Sequence, residues 1–215
     1  MLSYTPDVLI ALLAQYNASL WPVQLGAILA GLGILVLALR GGALPGRIVA
    51  LLLAAAWFST GAVFFRHTMA AIDFTAEVQG WIFIVQGLLF AWIGTVRSGL
   101  ALETLYPGRR RLGLAIVVFS LVVYPVLFAA LAGDWAAVPL FGLTPVPTLL
   151  VTLGLFMAVR RVPWAVTVIP LLWSLAAGWL AWALPWPLDL VVPAAGLALL
   201  HRMLLHGRGE PISGR

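Results

Sequence analysis

Basic residues occupy alternate gaps between the apolar runs of this chain. Eleven of its twelve arginines lie in every second gap or in the C-terminal tail, at Arg40, Arg47, Arg97, Arg109, Arg110, Arg111, Arg160, Arg161, Arg202, Arg208 and Arg215. The other gaps hold one basic residue, Arg66. Because cytoplasmic loops retain arginine, this alternation predicts seven membrane spans, with the N-terminus outside and the C-terminus inside.

The composition is typical of a membrane protein. The chain is 63% hydrophobic and 9% charged, which excludes an ordinary soluble domain. Its net charge of +5 lies at span ends, where anionic lipids at the inner face explain it better than nucleic acid does. The absence of cysteine excludes disulfides and Cys-ligated metals. We therefore expect an all-α polytopic helix bundle in the bacterial inner membrane, whose first partner is the lipid bilayer.

Three segments are predicted: residues 1–20 form an interfacial amphipathic helix, residues 21–206 the seven-helix transmembrane domain, and residues 207–215 a cytoplasmic tail. Thr5-Pro6-Asp7 predicts an N-cap, and the short helix after it cannot cross a bilayer. The predicted spans are Val23–Leu39, Ile48–Phe65, Phe74–Val96, Leu112–Ala132, Pro145 to just before Arg160, Trp164–Ala183 and Leu188–Leu205. Kinks are expected at Pro125 and Pro193.

The fifth span is too short for its task. A helix of fifteen residues from Pro145 measures roughly 22 Å, against a hydrocarbon core of about 30 Å. The missing length must come from the irregular segment before it, and such backbone survives at membrane depth only inside protein or beside a cavity. The segment is therefore either structural or an outward-facing binding site, as shortened and Pro-interrupted spans are in transporters.

Two groups of residues are candidates for function. The predicted outer cavity comprises Phe141, Gly142, Thr144, Pro145, Pro147 and Thr148, with Asp134, Asp189, Gln86 and Tyr124 as partners for their backbone groups. An outer polar cluster comprises Arg66, His67, Asp73 and Glu77, which either handle a cation or protons or only complement helix ends. We find no catalytic motif, metal-ligand pattern or cofactor fingerprint, and predict no enzyme activity.

Several short motifs carry a resemblance to a known family. They run from Gln15-Tyr16-Asn17 and Trp21-Pro22-Val23-Gln24 through Ile72-Asp73, Gln86-Gly87-Leu88-Leu89-Phe90 and Tyr124-Pro125 to Phe141-Gly142, Pro145-Val146-Pro147-Thr148 and Ile169-Pro170-Leu171-Leu172-Trp173-Ser174. The chain resembles the uncharacterised bacterial multi-pass membrane proteins grouped as domain of unknown function family 6064. The resemblance implies a membrane topology and a focal segment at residues 141–148, and no activity.

Three functions follow as expectations. The first is a non-catalytic subunit or scaffold of a larger membrane complex, with protein partners or further copies of the chain, since Gly26, Ala30 and Gly33 give the first span a small-residue face. The second is a small transporter or permease with its site near residues 141–148. The third is a quinone- or lipid-binding protein.

Overall fold

The protein is an all-α bundle. A computed structural model describes residues 4–97, 100, 102, 107–159 and 162–206, and no strand occurs in those ranges. The predicted tail, residues 207–215, lies outside them. The α-helices are α1 (Pro6–Ser19), α2 (Val23–Arg40), α3 (Ala43–Ser59), α4 (Ala76–Thr95), α5 (Pro107–Val118), α6 (Tyr124–Ala132), α7 (Pro145–Ala158), α8 (Trp164–Ala183) and α9 (Val191–His206).

Six helical segments of the described chain are long and apolar enough to cross a membrane. They are Val23–Arg40, Ala43–Ala71, Ala76–Thr95, Arg110–Ala132, Trp164–Ala183 and Pro187–Leu205. The remaining predicted span, the fifth, corresponds to α7, an apolar helix of only 14 residues that begins at Pro145, as predicted. The helices thus suggest a multi-pass membrane protein, while the count of seven and the orientation stay predictions.

Short π-helical segments and 3-10 turns connect some of these α-helices into longer helical spans. Nine residues of π-helix, Thr60–Thr68, extend α3, and a second π-helical segment, Phe119–Val123, joins α5 to α6. Pro125 explains the second one, because it has no N–H to donate to the carbonyl four residues earlier, and the helix widens there. Pro193 lies in the first turn of α9, which directly follows the 3-10 turn Pro187–Leu190, and the kink expected there stays a prediction.

The bundle has two distinct ends. The α1 end, named for the helix that lies against it, holds the irregular segment before α7 and the side chain of Arg66. The arginine end lies opposite, where α2, α4, α7 and α9 finish and α3, α5 and α8 begin. It holds the described arginines of the predicted inner gaps, which are Arg40, Arg47, Arg97, Arg110, Arg111 and Arg202.

Helix α7 forms the centre of the bundle. Every residue from Pro147 to Ala158 is buried, so this helix has no face toward solvent or lipid. Gly113 of α5 and Gly154 of α7 allow the two backbones to touch: a Cβ on Gly154 would lie 2.7 Å from the Gly113 carbonyl oxygen. Trp57 of α3 is fully buried and donates its indole N–H to the Thr152 hydroxyl at 2.9 Å.

Helix α2 contrasts with α7 because most of its surface is uncovered. Only 17% of the residues in Val23–Arg40 are buried. A Cβ on Gly26 or Gly33 would meet nothing within 4 Å, and Gly31 is the glycine that meets a neighbour, Leu121. The small-residue face predicted for the first span is therefore left open at Gly26 and Gly33, whereas Ala30 packs against the core of the bundle.

Candidate functional site

The irregular segment is inserted into the α1 end of the bundle. A 3-10 turn at Trp135–Ala137 precedes it, the chain from 138 to 144 is non-helical, and α7 begins at Pro145. Phe141, Gly142 and Thr144 are buried, and Gly142 has φ of 75°, a conformation that L side chains rarely adopt. The non-helical segment predicted from the sequence is confirmed up to Thr144, but Pro147 already lies in the helix.

Side chains from three other helices satisfy the carbonyl groups of this segment. Asn17 donates to the carbonyls of Ala136 and Val138, at 2.7 and 2.9 Å. Tyr16 donates to the Leu143 carbonyl at 2.9 Å. Pro147, four residues later, cannot donate a helical hydrogen bond to that carbonyl because it has no N–H. Two further bonds connect α3 and the α5–α6 junction to the segment: Ser59 to Gly142 and Ser120 to Pro147.

The partners predicted for these backbone groups are wrong. Asp134 accepts the Ala136 N–H at 2.8 Å and so caps its own 3-10 turn instead of facing α7. The carboxylate of Asp189 accepts the Tyr124 hydroxyl at 2.6 Å. The local signal of an Asx turn could have indicated the role of Asp134, whereas the other contacts depend on how the helices pack.

Gln86 serves a different helix from the one predicted. It is fully buried in the middle of α4 and donates its side-chain N–H to the Val166 carbonyl at 2.9 Å. That carbonyl lies four residues before Pro170, which is inside α8 and has no N–H to bond it. Gln86 therefore replaces a hydrogen bond that Pro170 removes from α8.

Thr5 occupies the N-cap position of α1, as predicted, and Thr144 occupies that of α7. Neither threonine makes a capping hydrogen bond with its side chain. Thr144 instead donates to the Leu140 carbonyl at 3.0 Å, and Thr148 accepts the Gly142 N–H at 2.8 Å. The proline at each helix start is as predicted, because its fixed φ suits the first helical position.

A cavity of about 350 Å³ opens at the α1 end, above the start of α7. Thr144 and Pro145 form part of its wall, together with Tyr124 and Asp189. Aromatic rings supply much of the rest, and they are Tyr4, Phe64, Phe65, Phe74, Phe128, Trp173 and Trp179. Of the ten residues predicted for an outer cavity, four line it, while the other six pack or bond elsewhere.

Polar groups are few in this cavity, and they are placed at defined points. Asp73 is buried and accepts both the N–H and the hydroxyl of Thr75 on one carboxylate oxygen, at 2.8 and 2.7 Å. Tyr4 lies near Asp73, and burial, followed by that carboxylate, raises the pKa of Tyr4 to about 12. The phenol is therefore protonated at neutral pH and able to donate a hydrogen bond.

The predicted outer polar cluster separates into three parts. Arg66 pairs with Glu77 at 2.8 Å and lies over the ring of Trp81, 4.2 Å from its centroid. Asp73 lines the cavity, whereas His67 is exposed. Among the described residues, no group of three or more His, Asp or Glu side chains could hold a metal ion.

Sequence reasoning missed the contribution of α1 and of the first π-helical segment. Leu9 and Leu13 of α1 line the cavity, although this helix was predicted to lie at the membrane interface. Phe64 and Phe65 reach the cavity from Thr60–Thr68, where the wider helix changes the direction of side chains. No sequence pattern identified that segment as π-helical.

Comparison with known proteins identifies the family. A family of unknown function (DUF6064) matches residues 7–212. The chain belongs to it. The resemblance inferred from the short motifs is therefore confirmed, and the family description carries no activity. No curated protein and no solved structure matches the chain.

Proposed function

We propose that this family member is a small-molecule-binding protein of the bacterial inner membrane, in which the cavity takes up its ligand as the first step of transport. The observation that carries the proposal is the cavity itself. Its volume of about 350 Å³ and its aromatic lining, interrupted by a few polar groups, are those of small-molecule sites. The ligand is a small and mainly apolar molecule.

The position of α7 supports transport over a purely structural role. A shortened helix that is preceded by irregular backbone and points its N-terminus at a cavity is typical of substrate sites in transporters. Here Thr144, Pro145 and Val146 bring that N-terminus to the cavity wall. The first π-helical segment supplies Phe64 and Phe65, and the second ends directly before Tyr124. Such segments are frequent at functional sites.

The proposed topology has seven spans, with α7 and the segment before it completing the fifth. The arginine end faces the cytoplasm and its anionic lipids, and the α1 end faces outside, so the cavity opens outward. Because the chain has no cysteine, single cysteines can test this orientation. In intact cells, Thr68→Cys and Ala136→Cys should react with an impermeant thiol reagent and Ala43→Cys should not. The reverse pattern would invert the topology.

An added indole inside the cavity tests the binding function. Ala177 of α8 lines the cavity and is buried, whereas Leu175 on the same helix is 54% exposed. Ala177→Trp should fill the cavity, and Leu175→Trp is the matched control with the same added ring on the outer surface. We expect mass spectrometry to find a small molecule that co-purifies with the wild type and with Leu175→Trp and is lost from Ala177→Trp.

The outcome separates the alternatives. If all three proteins retain the same molecules, the cavity is not a binding site and the proposal fails. If the molecule lost from Ala177→Trp is a quinone or a phospholipid, the protein is of the lipid-binding type. If the purified wild type exchanges that molecule across proteoliposome membranes, it is a transporter.

A role as a subunit or scaffold is the second candidate, and the open face of α2 favours it. A Cβ on Gly26 or Gly33 would meet no atom of another helix within 4 Å, so a helix of a second protein could approach closely there. The occupant would be a membrane protein partner or a second copy of the chain. Purification in mild detergent tests this role, and a monomer without any co-purifying protein would count against it.

A further inference from the structure

The charges on the cavity wall are of one sign. Asp73 and Asp189 both line the cavity, and no arginine, lysine or histidine does so in the part of the chain that the structure describes. The basic side chain at this end, Arg66, is paired with Glu77 and stacked on Trp81. Nothing basic on the described wall therefore neutralises these two carboxylates.

Asp73 retains unused acceptor capacity although only 7% of its surface is exposed. Both of its hydrogen bonds, from the N–H and the hydroxyl of Thr75, end on the same oxygen. The second oxygen receives no hydrogen bond from the described residues. A buried charge is costly unless it is paired, so this carboxylate is suited to a cationic partner in the cavity.

Asp189 has a similar arrangement on another part of the wall. One oxygen accepts the hydroxyl of Tyr124, which is itself almost fully buried. The other oxygen has no donor among the described residues. The cavity thus presents two carboxylates, each held in position by a hydrogen bond on one oxygen only.

The aromatic lining fits a cation as well. Ring faces carry negative partial charge and attract ammonium groups, as in the aromatic cages that recognise quaternary ammonium. Tyr4, Phe65 and Trp173 are among the rings on this wall. An apolar body can pack on such rings while its cationic group reaches a carboxylate.

The start of α7 is a poor anion site despite its helix dipole. The backbone N–H groups of a first turn bind anions, but Pro145 and Pro147 have none. The Thr144 N–H is already bonded to the Leu140 carbonyl at 3.0 Å. Only the N–H of Val146 remains in that turn. One hydrogen bond from the helix would not compensate an anion for the loss of its hydration.

We propose that the cavity selects organic cations, in which an ammonium group is attracted by the carboxylates of Asp73 and Asp189 and an apolar body packs on the aromatic wall. This selectivity rests on the proposed binding function of the same cavity. It names the ligand class that the cavity would take.

Three probes of matched shape test the selectivity: benzyltrimethylammonium, its neutral carbon analogue neopentylbenzene, and the anion benzylsulfonate. Binding is measured by equilibrium dialysis on the full chain in phosphatidylcholine nanodiscs, with empty nanodiscs subtracted. We expect the cation to bind at least about tenfold more tightly than the neutral analogue, and the anion most weakly. Ala177→Trp should abolish binding of the cation.

Asparagine substitutions assign the effect to the carboxylates. Asp73→Asn and Asp189→Asn keep an oxygen that can accept the existing hydrogen bonds, so the fold should be retained. Each substitution should weaken binding of the cation by about tenfold and leave binding of the neutral analogue unchanged. Asp134→Asn is the matched control, because Asp134 caps its own turn and does not line the cavity.

The possible results are distinct. Equal binding of the cation and the neutral analogue, or no effect of either cavity asparagine, would overturn the selectivity and leave the binding function standing. If none of the three probes binds, both the selectivity and the binding function are overturned. Tighter binding of benzylsulfonate would show that α7 outweighs the carboxylates.

Discussion

The two ends of α7 satisfy their backbone groups in opposite ways. At the arginine end, the single guanidinium of Arg202 donates to the carbonyls of Phe156, Met157 and Val159. At the α1 end, neutral side chains divide the work, since Asn17, Tyr16, Ser59 and Ser120 serve the backbone of the segment and of the first turn. One charged side chain therefore satisfies the C-terminal carbonyls of α7, whereas several neutral side chains satisfy the carbonyls near its N-terminus.

This difference has a physical reason. A helix C-terminus carries a negative partial charge, and a cation there gains from the dipole as well as from the hydrogen bonds. At the N-terminus the prolines remove most of the free donors, so what remains to be satisfied is a set of scattered loop carbonyls. Scattered acceptors need several donors, and they leave room between them for a cavity.

Removal of the Arg202 guanidinium should have the largest effect on stability. Arg202→Met removes the donors for three buried carbonyls at once, and we expect the free energy of unfolding to fall by about 3 kcal/mol. Thermal unfolding in detergent measures it. Arg40→Met is the control, because Arg40 lies exposed at the same end of the bundle. If the two variants lose the same free energy of unfolding, the hydrogen bonds of Arg202 do not stabilise the C-terminal end of α7.

Loss of one neutral donor should have a smaller effect. Asn17→Leu leaves the carbonyls of Ala136 and Val138 without their side-chain donor. It also removes a buried side-chain oxygen that has no partner, and we expect a net cost of roughly 1–2 kcal/mol. Tyr16→Phe removes one bond and should cost about half as much. Ser19→Ala is the control on α1, because the Ser19 hydroxyl bonds only to its own helix at Tyr16. A cost for Asn17→Leu equal to that for Arg202→Met would contradict the contrast between the ends.

The sequence predicted the parts of this arrangement that depend on local rules. The arginine positions separated the two ends, and the helix start predicted at Pro145 is correct. The need for partners along the segment followed from its polar backbone alone. Their identity did not, because Asn17 is 119 residues from Ala136 in the chain, and only helix packing brings them together.

The same limit applies to the cavity. The sequence allowed Asp73 to be interpreted as a helix-end residue, whereas Asp134 was predicted as a partner for the segment and in fact caps a turn. Asp73 caps a turn and lines the cavity as well. Charge at a helix end therefore does not separate structural acids from those at a site. What separates them is the free carboxylate oxygen beside a cavity, which no sequence pattern reports.

The smallest effect concerns the middle of the bundle, where one neutral donor serves one freed carbonyl. Gln86 bonds the Val166 carbonyl that Pro170 leaves open, but its own side-chain oxygen is buried without a partner. The cost of Gln86→Leu alone is therefore ambiguous, because it removes one bond and one unsatisfied oxygen together. A double-mutant cycle with Pro170→Ala isolates the bond.

In Pro170→Ala, the new N–H can bond the Val166 carbonyl inside α8, so that carbonyl no longer depends on Gln86. We expect Gln86→Leu to cost about 0.6–1 kcal/mol less in this background than in the wild type, measured by equilibrium unfolding. Gln79→Leu in the same two backgrounds is the control. Its effect should be additive with that of Pro170→Ala, because Gln79 lies about two turns before Gln86 on α4 and bonds the Thr75 side chain. Additive costs for Gln86→Leu as well would mean that the freed carbonyl needs no outside donor, and that neutral donors along the bundle act independently of the prolines beside them.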